Sequence, residues 1–147
     1  MNTHETTALP ACRALAAELP TGLRVGIDIA QVSAIEASLA AFGERFMRRI
    51  FREGEVAYAL KAPAQTAQRL AARFAAKEAA MKAFGLSEAG VAWRDIEVTR
   101  SADGACALTL HGRAADAAQR SGCTQIALSV SHDGDYAGAV VAALAPA

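Results

Sequence analysis

From Leu23 to Ala30 the chain alternates, with Leu23, Val25, Ile27 and Ile29 on one side and Arg24, Gly26 and Asp28 on the other. Period two over eight residues predicts a strand half buried on its apolar face, with Asp28 on the polar face. The period then lengthens, because Val32, Ile35, Leu39 and Phe42 recur at helical intervals and Ser33 with Glu36 has capping-box spacing. A helix therefore follows the strand directly, and Asp28 stands near the junction. Residues 44–60 mix aromatic and aliphatic anchors with Arg45, Arg48, Arg49 and Arg52, which predicts two short helices around Gly54. The longest helix is expected from about Ala64 to Phe84, rich in alanine and bounded by Pro63 and Gly85. Its apolar stripe is Leu70, Phe74, Met81 and Phe84, with Lys77 inside the stripe and Arg73 and Glu78 at its borders. Beyond it, W-R-D-I-E-V-T-R and A-C-A-L-T-L flank an Asp103-Gly104 turn and read as a hairpin. A short alanine-rich helix after Gly112 and a second hairpin, Q-I-A-L-S-V-S-H to Y-A-G-A-V-V-A-A-L, complete the pattern. The fold class is α+β, a mainly antiparallel sheet with helices on one face.

The 147 residues, 53% of them hydrophobic, suffice for one core without disulfide or metal staples. We read residues 1–22 as an N-terminal extension and residues 23–147 as a single domain. Fifteen basic and fifteen acidic residues balance, so attraction to nucleic acid or to a membrane surface is not expected from the whole molecule. Cys12, Cys106 and Cys123 are odd in number and scattered, which fits a reducing compartment rather than a disulfide framework or zinc knuckle. The opening residues lack a basic start followed by an apolar run, and no segment approaches the ~20 apolar residues of a membrane span. The expectation is a cytoplasmic protein.

Several residues could carry chemistry, and each also has a bland reading. Asp28 could be a solvated carboxylate or a cap. Glu78 and Lys82 are spaced i to i+4 in the order that makes an ordinary surface pair. Arg73, Lys77 and Lys82 could be solvated or snorkelling stems, a reading that suits Lys77 least because it lies in the apolar stripe. His132, beside Ser129 and Ser131, could be a turn residue ahead of Asp133-Gly134.

Taken together, VGIDI, RFMRRIFREGE, RFAAKEAAMKAFG, W-R-D-IEV, the G-x-A at Gly112–Ala114 and SVSHDGDYAGAVV resemble the small, single-module phosphopantetheinyl transferases typified by holo-acyl carrier protein synthase. The resemblance runs from about Val25 to Leu144, and RFAAKEA with its following lysine is the most specific part. It implies a homotrimer with sites at subunit interfaces, in which 4′-phosphopantetheine passes from coenzyme A to a serine of an acyl carrier protein or of a synthase's carrier domain and 3′,5′-ADP leaves. It implies Mg²⁺ held by Asp28 and Glu78, a pairing that suits a hard cation sharing phosphate oxygens and waters. Arg73, Lys77 and Lys82 are then the cations for the phosphates, and Ser129, Ser131 and His132 line the coenzyme A site. Glu78, Lys82 and His132 are the catalytic candidates by the same resemblance.

Two departures stand out. The family's glycine-threonine-glycine loop reads G-L-S-E-A-G here, and the basic residue early in its first helix is replaced in the Ser33-Ala34 region. Docking of an acidic carrier helix would then fall to Arg45, Arg48, Arg49 and Arg52. The alternative reading is a non-catalytic relative that binds carrier protein or coenzyme A without transferring anything.

Overall fold

The chain runs β1 (Leu23–Gln31), α1 (Val32–Phe42), α2 (Glu44–Ile50), α3 (Glu53–Leu60), α4 (Thr66–Phe84), β2 (Ile96–Arg100), β3 (Cys106–Leu110), α5 (Gly112–Arg120), β4 (Gln125–Asp133) and β5 (Tyr136–Leu144). This computed structural model describes residues 22–86 and 90–145. Nearly all of the N-terminal extension, including Cys12, and residues 87–89 of the altered glycine loop lie outside the described residues.

The strands form two antiparallel sheets, one in the order β1-β5-β4 and one a β2-β3 hairpin. Both hairpins expected from the turn residues are present, and the fold is α+β as the period changes imply. Helix α4 packs across β1 and β5, and its small side chains set how closely it can approach. Ala71, Ala75, Ala76, Ala79 and Ala80 are all fully buried. A Cβ on Gly26 would lie 1.9 Å from the Ala79 carbonyl oxygen, so at that position strand and helix are in backbone contact.

That contact overturns the expected orientation of β1. Gly26 and Ala30 face α4 and are buried, with Asp28 between them, while Val25, Ile27 and Ile29 are 57%, 59% and 65% exposed. An alanine-paved helix leaves no depth for branched side chains beneath the strand. Alternation fixes which residues share a face and leaves open which face is turned to the core.

Two local readings also change. Ser33 does not close a capping box with Glu36; its N–H and hydroxyl donate instead to the Asp135 carboxylate at 2.8 and 2.6 Å. The β4-β5 turn thus caps α1 from 102 residues away. The break between α2 and α3 falls at Phe51-Arg52, with Gly54 inside the first turn of α3. Helix α4 begins at Thr66 after a 3₁₀ turn at Pro63–Gln65 and ends at Gly85, whose φ of 64° is the left-handed geometry glycine adopts cheaply.

Candidate functional site

Two polar clusters form on different sides of α4. The first joins α4 to β1. Lys82 donates to Asp28 Oδ1 at 2.8 Å and to the Ile27 carbonyl at 3.0 Å, and Glu78 lies one turn earlier on the same helix. Partial burial pushes the Glu78 carboxyl above its ordinary range, and the Asp28 charge pushes it further, with Lys82 opposing. The hydrogen bond to Asp28 raises Lys82. Lys82 is bonded to Asp28 and acts on Glu78 only through its charge, so the two carboxylates face one ammonium group and negative charge is in excess. Among the described residues no group of three or more histidine, cysteine or acidic side chains gathers to hold a metal. The fit is to a hard cation taking one or two carboxylates, with the remaining positions filled by phosphate oxygens or water.

The second cluster surrounds the Tyr58 ring. The guanidinium carbons of Arg73, Arg69 and Arg100 lie 4.2, 4.7 and 5.3 Å from its centroid. Arg69 also donates to the Tyr58 carbonyl at 2.9 Å, and Arg100 to the Tyr58 hydroxyl. With Gln68, Cys106 and His132 these residues line a cavity of about 220 Å³. His132 Nδ1 is 3.0 Å from Gln68 Nε2 on one wall. Arg73 is only 5% exposed and its Nε has no hydrogen-bond partner among the described residues, so the cluster holds more donors than acceptors. Burial lowers the Arg73 pKa from its ordinary value, with Glu55 acting in the opposite direction.

Of the residues singled out in the sequence, the structure brings Asp28, Glu78 and Lys82 together and groups Arg73 with His132. Positions 73 and 78 are five residues apart, about 140° around the helix, so the two groups face different ways.

Lys77 must be withdrawn as a phosphate ligand. It is 0% exposed, and its ammonium donates to Glu55 Oε2 at 2.9 Å, to the Trp93 carbonyl at 3.2 Å and to the Ile96 carbonyl. An ammonium group has three N–H bonds and all three are committed. Burial lowers its pKa while Glu55 opposes the shift.

The S-V-S-H segment divides between the two faces of the sheet within one chain. His132 pairs with buried Ala137, whereas Ser129 and Ser131 pair with Val140 and Gly138 and lie on the outer face of the sheet beside the exposed residues of β1. Strand pleating separates neighbours that the linear motif places together.

The arginine cluster also divides. Arg48 pairs with Glu44 at 3.2 Å and Arg52 Nε donates to the Arg94 carbonyl at 2.6 Å. Arg45 and Arg49 share a hollow of about 410 Å³ with Phe42, Phe46, Ile50 and Trp93. The sequence reading missed Arg69, Arg100, Gln68 and Tyr58. Arg69 precedes Arg73 by one helical turn, which is a usable signal, whereas Tyr58 and Arg100 reach the cavity only through tertiary packing.

The profile of the 4′-phosphopantetheinyl transferase superfamily matches residues 24–141. A holo-[acyl-carrier-protein] synthase of Koribacter versatilis is 47% identical over 120 residues, 81% of this chain and 95% of that protein. One from Gloeobacter violaceus is 42% identical over 121 residues, 82% of this chain and 92% of its own. Among solved structures, a Chronobacterium ammoniagenes ACPS-CoA complex superposes with a TM-score of 0.74 at 30% identity, covering 85% of this chain and 98% of that one. A Helicobacter pylori holo-[acyl-carrier-protein] synthase in complex with coenzyme A gives 0.70 at 27% identity, with 81% and 98% covered. A match to the profile over most of the chain, relatives above 40% identity and the same fold in solved structures agree, and the chain belongs to the 4′-phosphopantetheinyl transferase superfamily.

Proposed function

We propose that this chain is a holo-[acyl-carrier-protein] synthase, transferring 4′-phosphopantetheine from coenzyme A to the serine of an apo-acyl carrier protein and releasing 3′,5′-ADP. The observation that carries the reading is the pair of clusters on α4: two carboxylates with a lysine on one side, and three guanidinium groups with an imidazole on another. Coenzyme A presents a pyrophosphate and a separate 3′-phosphate, so its binding calls for two centres of unlike design.

Asp28 and Glu78 would hold Mg²⁺, which when bound neutralises charge on the pyrophosphate oxygens. Lys82 lies against Asp28 and adds a cation beside the same phosphates. The carrier serine oxygen bonds to the phosphorus nearest pantetheine as the bond to the ADP phosphate breaks. A displacement of this kind gains chiefly from alignment and charge neutralisation, which is what these residues supply. Arg73, Arg69, Arg100 and His132 serve as the anion pocket.

The assembly proposed is a homotrimer. Its support in this chain is the outer face of the β1-β5-β4 sheet, where Val25, Ile27, Ile29 and Val140 are exposed together. A contiguous apolar face of this kind marks an interaction site. Since the two clusters point apart on one chain, a ligand using both is best held between two copies. Carrier docking is read onto Arg45 and Arg49, whose hollow suits an acidic helix with an apolar residue.

The test is direct. Incubation with apo-carrier protein, coenzyme A and Mg²⁺ should add the mass of phosphopantetheine to the carrier, and chelation with EDTA should stop it. A carrier of unchanged mass in the presence of Mg²⁺ refutes the transferase reading.

A further inference from the structure

We propose that Cys106 is a thiol-modification site, reacting selectively with anionic low-molecular-mass disulfides that its cavity draws in. The inference rests on the anion-pocket reading of the cavity around Tyr58 and adds a regulatory chemistry to it.

The geometry begins with strand register. Cys106 and Arg100 are direct cross-strand partners in the β2-β3 hairpin, so their side chains stand side by side on one face. That face looks onto the cavity, where Arg73 and Arg69 arrive from α4 one turn apart. Cys106 is half-buried, enough exposed for a reagent to reach and enough enclosed for its surroundings to choose the reagent. The carboxylate whose charge acts on Arg73 is Glu55, and it does not neutralise the cavity. It is 1% exposed and already accepts from Lys77, the Arg52 N–H and the Val98 N–H. Arg73 lines the cavity, is more than nine-tenths buried, and its Nε has no hydrogen-bond partner among the described residues, an independent sign that acceptors are short around it.

Positive charge confined in a small concavity raises the local concentration of anions. A disulfide carrying carboxylates or phosphates is thereby held beside the sulfur, whereas a cationic one is repelled. The exchange is balanced. The Cys106 thiolate attacks one sulfur, the S–S bond of the reagent breaks, and the other half leaves as a thiolate that takes up the proton Cys106 released. Cys106 is oxidised to a mixed disulfide and the departing half is reduced to a thiol. The attached group then occupies the anion pocket and blocks it, and a thiol reductant reverses the reaction.

Cys123 supplies an internal reference, since it is also half-buried but packs against the core between α5 and β4. The whole protein is treated with 5,5′-dithiobis(2-nitrobenzoate), which is anionic, or with cystamine, which is cationic. Each rate is divided by that reagent's rate with N-acetylcysteine, and the modified residue is located by peptide mass. At Cys106 the normalised rate should favour the anionic reagent by about tenfold or more, fall with rising salt, and be suppressed by inorganic phosphate. Cys123 should show none of these effects, and Arg100→Gln should reduce the preference at Cys106 severalfold.

Transfer activity of the wild type should be lost on labelling and regained with dithiothreitol, while Cys106→Ser should have the same activity with and without the reagent. Equal normalised rates at Cys106, or absence of phosphate protection, would overturn the proposal. Labelling is read by mass, so this result does not depend on whether the unmodified protein transfers phosphopantetheine.

Discussion

Glu78 stands where a carboxylate is costly, partly withdrawn from water and next to a second negative charge. Its folded pKa is raised, so the carboxyl favours the folded state most when protonated. That contribution is complete below the unfolded glutamate pKa and is lost as pH rises through the folded one. Glu78→Gln should therefore raise Tm at pH 7 relative to wild type, with little difference near pH 4, as read by calorimetry. The same change should lower transfer by about 10²-fold or more if Glu78 holds the metal. Mg²⁺ should raise the Tm of wild type and leave that of Glu78→Gln unmoved. Because the proton and Mg²⁺ compete for Glu78, the acid limb of the wild-type activity profile should move to lower pH as Mg²⁺ is raised. A variant of unchanged stability and activity would return Glu78 to an ordinary helical surface pair with Lys82.

At the scale of elements, a buried ion pair ties α3, α4 and β2 together. Glu55 accepts from Lys77 at 2.9 Å, from the Arg52 N–H at 2.8 Å and from the Val98 N–H at 3.0 Å. Lys77→Met would leave Glu55 buried without its cation, at a cost of about 3–5 kcal/mol. Urea denaturation should show the loss as a lower midpoint with an unchanged slope. Lys77 is committed to Glu55 and two carbonyls, so the folded variant should keep the wild-type KM for coenzyme A; a large rise would mean that Lys77 does reach a phosphate. Helix α2 makes a separate prediction. Because Glu44 offsets the charge of Arg48 and the Arg94 carbonyl holds the Arg52 side chain in place, Arg45 and Arg49 are the guanidinium groups best placed to reach a partner. Arg45→Glu with Arg49→Glu should raise the apparent KM for carrier protein about tenfold at low salt, and the effect should shrink as salt is added. The equivalent Arg48 and Arg52 pair of changes should do much less.

At the scale of the molecule, the outer face of the sheet is the feature that a lone chain does not explain. Val25, Ile27 and Ile29 protrude from β1 beside Val140 and Tyr136 of β5, while the small and acidic residues of β1 face the helix. Ile27→Glu places a charge at the centre of this face without touching the α4 contact. Sedimentation should show the wild type as a trimer and the variant as a monomer with wild-type far-ultraviolet circular dichroism. Transfer should fall with dissociation, because a ligand that uses both clusters would lose one of them. A wild type that sediments as a fully active monomer would remove the shared-site reading.

The elements were legible in the sequence because their signals are local: alternation for β1, turn residues for both hairpins, and an alanine-rich run between Pro63 and Gly85 for α4. The spacing of Glu78 and Lys82 one turn apart was legible as well, but their meeting with Asp28, 54 residues from Lys82, was expected only from the family resemblance and is made by packing. Lys77 was rightly marked as misplaced in an apolar stripe, but its partner Glu55 lies 22 residues away, and only packing could show that the amine was already spent. Periodicity shows which residues share a face and is silent on what that face meets. Hence the sequence alone determined the element order and the residue chemistry. The tertiary structure decided that β1 turns Gly26 and Asp28 inward, that Asp135 caps α1, and that three arginines converge on Tyr58. The reason is that each of these depends on contacts between distant segments, and the depth an alanine helix allows its neighbour is not written in the neighbour's own pattern.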